Sequence, residues 1–563
     1  MNTMRISGLA SGIDTEEIIN NLMKVERLKV DRVFRDRQTL VWRQETYNSL
    51  NKDFANFIMN TRKSFGLTQV TYKGTLYPNS YKNLTWVKKA TSSREDIATV
   101  SSTSKAVNGN FQLEVKELAK GATFVSGEKI GESETFGTEL EFELIAGKDK
   151  NGDDIKKLIK VENSKGVTIN DIVNKINAAK VEMFDGKIVT DGKIVEDGAP
   201  RELTEEEMKQ VKEVSLGVTA FYDKENERLF LQTTETGDKS RINITSNNNE
   251  FMNKLNIPAG GVKGTNAKVE YNGVELHYSS NNFNINGIDI EIKSKGMTTI
   301  KVDTDVDGII EKVEQFVEEY NKLVDKTNKL LSEKQYRDYY PLTSEEKKSM
   351  DKDDIKLWEE KAKSGILKSD TIVQRIMQNT RTSIYEKINT DGIYKHITEI
   401  GISTEKYVKG SLGGKLVIDE DKLKKAILED PESVMELLFK ETKEVKQVID
   451  GEEKVKVEKG GLVSRIYDEM MAGMEEIVNK SGVGDDSDLY RSVRPNMLLN
   501  FVTELSSISL LDKDVLQMSR KLDDLEAMLF RKESAYYAKF TAMEKAISRM
   551  NSQGAWIGQQ FMR

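Results

Sequence analysis

The chain contains no cysteine. Disulfides, thiolate metal sites and cysteine nucleophiles are therefore excluded, and the redox state of the compartment stays open. Histidine is nearly as scarce, with His277 and His396 alone in 563 residues. His277 falls in a predicted strand and His396 in a predicted loop. Neither has the H-E-x-x-H neighbourhood of a zinc hydrolase, and no G-x-S-x-G nucleophile elbow occurs. No run approaches the ~18 apolar residues that a membrane span needs. The first residues lack the apolar core of a Sec-type signal peptide. Two weak site patterns also fail. Gly410 to Lys415 has the wrong spacing for a phosphate loop, and Leu416 replaces the required Ser or Thr. Asp149 to Asp154 resembles a calcium loop, but its glycine comes two places early and no Glu closes it. No catalytic residue, cofactor or metal is expected, and the chain reads as an assembly protein and not an enzyme.

Charge is abundant but small in sum. Charged residues make up 32% of the chain and the net charge is −8. Residues 1–65 carry 11 Lys/Arg against 8 Asp/Glu, and residues 513–563 carry 9 against 6, so both ends are slightly basic. The signs interleave along each segment, as on solvated helix faces with i,i+4 pairing, so nucleic acid is not expected as a partner. The length implies several domains.

Proline and glycine are missing from both ends for long distances. No Pro follows Val515, and the first Gly after it is Gly554. Here apolar residues recur in three- and four-residue steps. One seam row is Val515, Leu522, Leu529, Tyr536, Met543 and Met550, and the other is Met518, Leu525, Lys532, Lys539 and Ala546. Phe540 and Ile547 lie beside it. This spacing predicts a long helix from about Lys513 that buries one stripe against a partner helix. The matching stripe begins at Asp14, a candidate N-cap with Glu17 three residues on, and Ile13 and Ile18 placed as a staple. Val33, Leu40, Tyr47 and Phe54 are spaced by seven. The alternate row is Val30, Arg37, Gln44, Asn51 and Ile58, whose polar middle fixes register at a cost in stability. The two helices are expected to associate with each other, with other copies, or with both. The seam residues expected to make oligomer or filament contacts are Val33, Leu40, Tyr47, Phe54, Leu522, Leu525, Leu529, Tyr536, Phe540, Met543 and Ile547.

Between them the texture changes. Gly66, Gly74 and Pro78 break the first helix. Residues 97–100 and 110–115 alternate as strands with Asn108-Gly109 as a turn, and 140–145 continues the pattern. A short helix at 169–179 follows. Asp-Gly steps at 185, 191 and 197 form a six-residue repeat of hairpin turns, and Asn272-Gly273 and Asn286-Gly287 mark further hairpins. After Asp307 the period returns to helical. The charged stretch 332–364 reads as an exposed loop with one helical turn. Helices are expected at 372–388, 421–428, 431–439 and 462–478. Residues 400–402 pair with 415–418, 441–460 form a loop or ribbon, and 481–488 a loop. The expected class is α+β and multidomain: long terminal helices as coiled-coil legs, a helical domain, and β-rich head domains inserted between the helical halves. The expected boundaries are 1–70, 71–118, 119–265, 266–303, 304–512 and 513–563.

Several stretches together resemble one family. Arg5-Ile-Ser-Gly-Leu-Ala-Ser-Gly-Ile-Asp14 resembles the N-terminal signature of the bacterial flagellar filament-capping proteins, the flagellar hook-associated protein 2 family. Similar matches are Tyr537 to Glu544, Met550 to Gln553, Trp556 and Gln559 to Phe561. The internal stretches Ile400 to Thr404, Ile418 to Glu420, Asp430-Pro431, Tyr271 to Gly273, Phe316-Val317 and Tyr320-Asn321 also match. Gly166 to Asn170 and Lys175 to Asn177 are similar to a motif of flagellin and hook-associated proteins. The resemblance implies a secreted cap at the filament tip that promotes flagellin polymerisation and stops flagellin from leaking away. It implies a homo-oligomeric ring, commonly a pentamer, with flagellin, hook–filament axial proteins, the flagellar type III export apparatus and an export chaperone as partners. The alternative is another extracellular fibre or adhesin component with coiled-coil termini. This chain departs from shorter members at 185–198 and 332–364.

Overall fold

A computed structural model of the chain describes residues 14–70, 76–196, 199–406, 412–449, 452–482, 484 and 509–561. The Arg5 motif up to Ile13, the turn at 197–198, Gly410 and most of the 481–488 loop lie outside the described residues. The chain divides into two compact units, Met1–Tyr81 with Val306–Arg563, and Lys82–Asp305. The first is mainly helical and the second mainly β, which is an α+β architecture.

The β unit follows from alternation and tight turns. A five-stranded antiparallel sheet runs in the order Val274–Tyr278, Ala267–Tyr271, Gly109–Glu117, Gly296–Thr304, Lys88–Ser92. A three-stranded sheet runs Asn282–Ile285, Ile288–Ile292, Ala98–Ser102. In Ile288–Ile292 the three isoleucines are buried and the two acids exposed. Their inner faces close one core that includes Leu113, Val115, Val269, Ile290 and Ile300. A second core lies around Phe136, Phe142, Ile172, Leu231 and Phe251. It is enclosed by the four-stranded sheet of Val262–Lys263, Ser240–Ser246, Glu139–Lys148 and Asp154–Glu162, and by Ile169–Ala178. The chain passes between the cores on two neighbouring segments: Lys120 and Thr265 each donate a backbone N–H to the other's carbonyl.

Asn272 and Asn286 hold φ of 50° and 47°, each followed by a glycine at 84°. These paired left-handed residues make the turn that matches strand twist. The six-residue repeat does the same at Asp185-Gly186 and Asp191-Gly192. Lys180–Phe184 then pairs with Lys187–Val189, and Lys193–Glu196 with Ala199–Glu202. The Asp149 carboxylate accepts backbone N–H groups from Asn151, Asp153 and Ile188. Its two oxygens therefore close the local turn.

The helical unit is built on the second half of Thr15–Phe65. Phe57 and Phe65 pack with Phe316 and Tyr320 of Val306–Ser332, Phe439 of Pro431–Phe439 and Tyr467 of Leu462–Ser481, and Phe54 of the same helix is fully buried. The expected face of Ile309, Val313, Phe316, Val317, Tyr320 and Val324 is buried throughout. Asp419 caps Glu420–Glu429, and Asp430 caps Pro431–Phe439 with proline at its first turn. Arg465 is buried and donates to the carbonyls of Gly460, Ser383, Glu386 and Lys387, tying three chain segments together.

Gly473 sets the spacing of two helices. A β-carbon there would lie 2.6 Å from Ile376 Cγ1 of Thr371–Tyr385, and Ile376 is itself buried. Gly473→Val is expected to destabilise the helical unit by ~1–3 kcal/mol through overpacking, despite the better helix propensity. Thermal unfolding followed by the helical signal checks this; an unchanged or raised melting temperature would contradict it.

Glu436 offers a pH test. Burial pushes its carboxyl up, but Lys440 and the backbone N–H groups of Asp391 and Gly392 outweigh that and hold it below its ordinary value of 4.5. A lowered folded pKa stabilises the fold above the ordinary value, and that stability disappears as pH falls through the folded pKa. Wild type should therefore lose stability more steeply than Glu436→Gln as pH drops below 4.5. Parallel acid melting curves for the two proteins would refute this.

Two expectations are corrected. Ala98–Ser102 and Gly109–Glu117 are strands but do not pair with each other; they join different sheets. Alternation fixes which face is buried, not which strand is the neighbour. The stretch 332–364 is not an exposed loop with a single turn. It contains Ser344–Lys348, capped by Thr343, and Lys352–Lys363, and it rests on the first helix.

Candidate functional site

The first helix starts as its sequence requires: the Asp14 carboxylate accepts the Glu17 N–H at 2.9 Å. It ends at Gly66, in the left-handed conformation. The last helix, Leu510–Phe561, starts three residues earlier than the heptads indicate. Ser509 caps it. Its hydroxyl accepts the Asp512 N–H, and its own N–H reaches the Asp512 carboxylate. This reciprocal pair, one serine and one acid three residues apart, was available in the sequence as a start signal.

The two helices run antiparallel. Glu26 pairs with Lys532 at 2.6 Å, Arg37 Nε donates to Ser519 Oγ at 2.7 Å, and Gln44 Nε2 to Asp512 Oδ1 at 2.7 Å. The polar seam positions are thus pins. Arg37 and Gln44 bond across the pair, and Asn51 Nδ2 donates to the Met474 carbonyl. The Lys532 ammonium holds the Glu26 carboxyl below the usual carboxylate range.

Burial along this pair is one-sided. Ile19, Met23, Val30 and Val33 of the first helix are buried. On the last helix Val515, Met518, Leu522, Leu525, Leu529, Tyr536, Phe540, Met543 and Ile547 are only half-buried. Beyond Leu511 none of its described side chains is fully buried. Phe530 and Trp556 are 72% and 60% exposed, with Met550 and Ile557 also outside. On the first helix Val25 and Leu28 are about as open. The register places Thr15 opposite about residue 543, so the last helix continues for ~27 Å past the described start of its partner. Two helices cannot cover the stripe that this sequence carries.

The eleven seam residues therefore divide. Val33, Tyr47 and Phe54 are buried within the chain, and the Tyr47 hydroxyl donates to Asp370 Oδ2. Their side chains are covered by the chain's own fold. Leu40 is half-buried, and Leu522, Leu525, Leu529, Tyr536, Phe540, Met543 and Ile547 lie together on the half-covered stripe. Sequence spacing did not single out Val25, Leu28, Phe530 and Leu516, which fall off the seam yet are exposed and apolar. The two histidines stand apart from this surface: His277 is on an exposed strand with Nε2 3.3 Å from Glu275, and His396 precedes the turn Ile397–Ile400. No helix among the described residues is long and apolar enough to cross a membrane, and no cluster suited to a metal occurs among them.

The chain matches two family models, the flagellar hook-associated protein 2 N-terminus over residues 11–122 and C-terminus over residues 264–552. It is 26% identical to flagellar hook-associated protein 2 of Halalkalibacterium halodurans, covering 99% of this chain and all of that one. It is 24% identical to the protein of that name from Salmonella typhimurium, over 60% of this chain and 62% of that one. Among solved structures it is similar to the D1-D2-D3 domains of the Escherichia coli flagellar cap protein FliD. That likeness has 17% identity and a TM-score of 0.48, and it covers 78% of this chain and 95% of the other.

Proposed function

The chain belongs to the flagellar hook-associated protein 2 family, and on that premise we propose that it is the structural cap at the distal end of the bacterial flagellar filament. It promotes flagellin polymerisation there and prevents the loss of unpolymerised flagellin. It acts outside the cell at the filament tip, as a homo-oligomer, and its role is structural and not catalytic. The observation that carries the reading is the match of both family models over the two ends of the chain, joined to a last helix whose apolar stripe its own chain half-covers.

The finer assignments follow from the chemistry of that stripe. Leu522, Leu525, Leu529, Tyr536, Phe540, Met543 and Ile547 are the residues that contact other copies and the filament end. Each can still gain by burial, since a fully covered Leu contributes roughly 1.5–3 kcal/mol relative to an exposed one. Starting half-buried, each gains only part of that, which suits a contact that must release and rebind as subunits are added. The ring has five copies. It reaches the tip through the flagellar type III export apparatus with an export chaperone, and there adjoins the axial proteins of the hook and filament.

Purified chain added to filament fragments with flagellin monomers tests the proposal. Elongation at capped tips should exceed that at bare tips, and the chain should be found at one end of each fragment. Binding along the filament sides with no effect on elongation would favour the fibre or adhesin alternative.

A further inference from the structure

The insert that separates Val306–Ser332 from Thr371–Tyr385 forms, with the first helix, an open cleft of about 820 Å³. Its floor is one face of that helix, where Arg32, Arg35, Thr39 and Arg43 recur at helical spacing. Arg337 and Lys368 of the insert face the same space, and Asp36 is the one carboxylate on the lining among the described residues. Five cations against one acid is unusual in a chain of net charge −8. Arg32, Arg337 and Lys368 have no carboxylate partner among the described residues. Arg35 and Arg43 each spend one Nη2 within the chain, on Glu346 and on the Ile366 carbonyl. The Nε of both has no acceptor among the described residues.

The wall is formed before any ligand arrives. Arg35 lies over the Tyr340 ring at 3.7 Å. Tyr339 and Tyr340 pack on Trp358, whose Nε1 donates to the Tyr340 carbonyl at 2.9 Å. The ends of the insert are clamped together: Ser364 Oγ donates to the Lys334 carbonyl and the Gly365 N–H to Glu333. The cations therefore line one preformed cleft.

We propose that this cleft binds an extended acidic peptide segment of a partner protein through carboxylate–guanidinium pairs. From Arg32 to Arg43 the helix rises ~16 Å, the length of about five residues of extended chain. A single phosphate would reach only neighbouring cations, whereas carboxylates spaced along a strand reach all of them. The guanidinium fork matches a carboxylate with two parallel hydrogen bonds, and the tyrosine edges give the peptide backbone a flat wall. The lining is polar and open, unlike a pocket for an apolar ligand. The inference uses the cleft alone and stands whether or not the chain caps a filament.

Fluorescence anisotropy on the full chain tests it, with a labelled alternating Glu–Ser peptide as probe. A Gln–Ser peptide and inorganic tripolyphosphate serve as comparisons. The Glu–Ser peptide should bind, the Gln–Ser peptide should not, and added salt should weaken binding. Arg337→Glu with Lys368→Glu, both at exposed positions, should lower affinity by about tenfold or more. Arg32→Ser should lower it less, and Lys24→Glu, on the same helix outside the cleft, should leave it unchanged. Failure of the Glu–Ser peptide to bind wild type would overturn the proposal. So would equal binding to the double variant, or displacement by tripolyphosphate at lower concentration than by unlabelled Glu–Ser peptide.

Discussion

Leu525→Asp combined with Leu529→Asp is expected to give a chain that is folded, exported and unable to hold the filament tip. Both leucines lie on the half-buried stripe of the last helix, next to the Glu26–Lys532 pair. Each substitution places a carboxylate on a surface that needs an apolar partner, where an unpaired charge is expensive to cover. The damage stays local because the aromatic core of Phe57, Phe65, Phe316 and Tyr467 contains neither residue. The β unit has its own cores. The melting temperature and β-sheet signal should remain near wild type, while flagellin accumulates in the medium and swimming falls. Global unfolding, or normal filaments without leakage, would contradict the assignment of this stripe to filament contact.

Phe54→Ala should do the opposite. Phe54 follows the same seven-residue spacing but is fully buried among the chain's own helices. Truncation removes most of a ring from a close-packed site and leaves a cavity, at a cost of ~3–5 kcal/mol. The helical unit should melt at clearly lower temperature, and exported protein should decline together with capping. Denaturant unfolding followed by helical circular dichroism measures this; a loss below ~1 kcal/mol would mean that Phe54 is less essential to the core than its burial implies. The two variants thus separate residues of one heptad pattern into a contact surface and a core.

That separation was not legible in the spacing. Val33, Leu40, Tyr47 and Phe54 look alike in sequence, and only the helices contributed by residues 306–481 cover the last two. What the sequence carried well was local. Asp14 starts the first helix where expected, the helices expected at 421–428 and 431–439 form there, and the Asn-Gly and Asp-Gly pairs turn hairpins, because caps and tight turns depend on a few adjacent residues. The long stripes gave both terminal helices and, through Arg37 and Gln44, the positions that pin their register. Strand partnership is not local: the strands on either side of Asn108-Gly109 look like neighbours in sequence but join different sheets. The insert at 332–364 was hidden by its charge: lysines and glutamates at helical spacing resemble solvent-facing coil until Trp358, Tyr339 and Tyr340 are seen to stack. The basic cleft was invisible for a similar reason. Arg32, Arg35 and Arg43 alternate with acids along the first helix, and only the return of the chain some 300 residues later brings Arg337 and Lys368 to them. Arg465 gave no signal, since its hydrogen bonds go to four backbone carbonyls.

This chain is expected to retain flagellin at the growing filament tip through the stripe on its last helix. The most direct measurement is the partition of flagellin between filament and medium in cells lacking the chain, complemented with wild type or with Leu525→Asp/Leu529→Asp. Flagellin should be monomeric in the medium without the chain, filamentous with wild type, and monomeric again with the variant although the variant is exported. Filaments of normal length and a medium free of flagellin in the absence of the chain would contradict it.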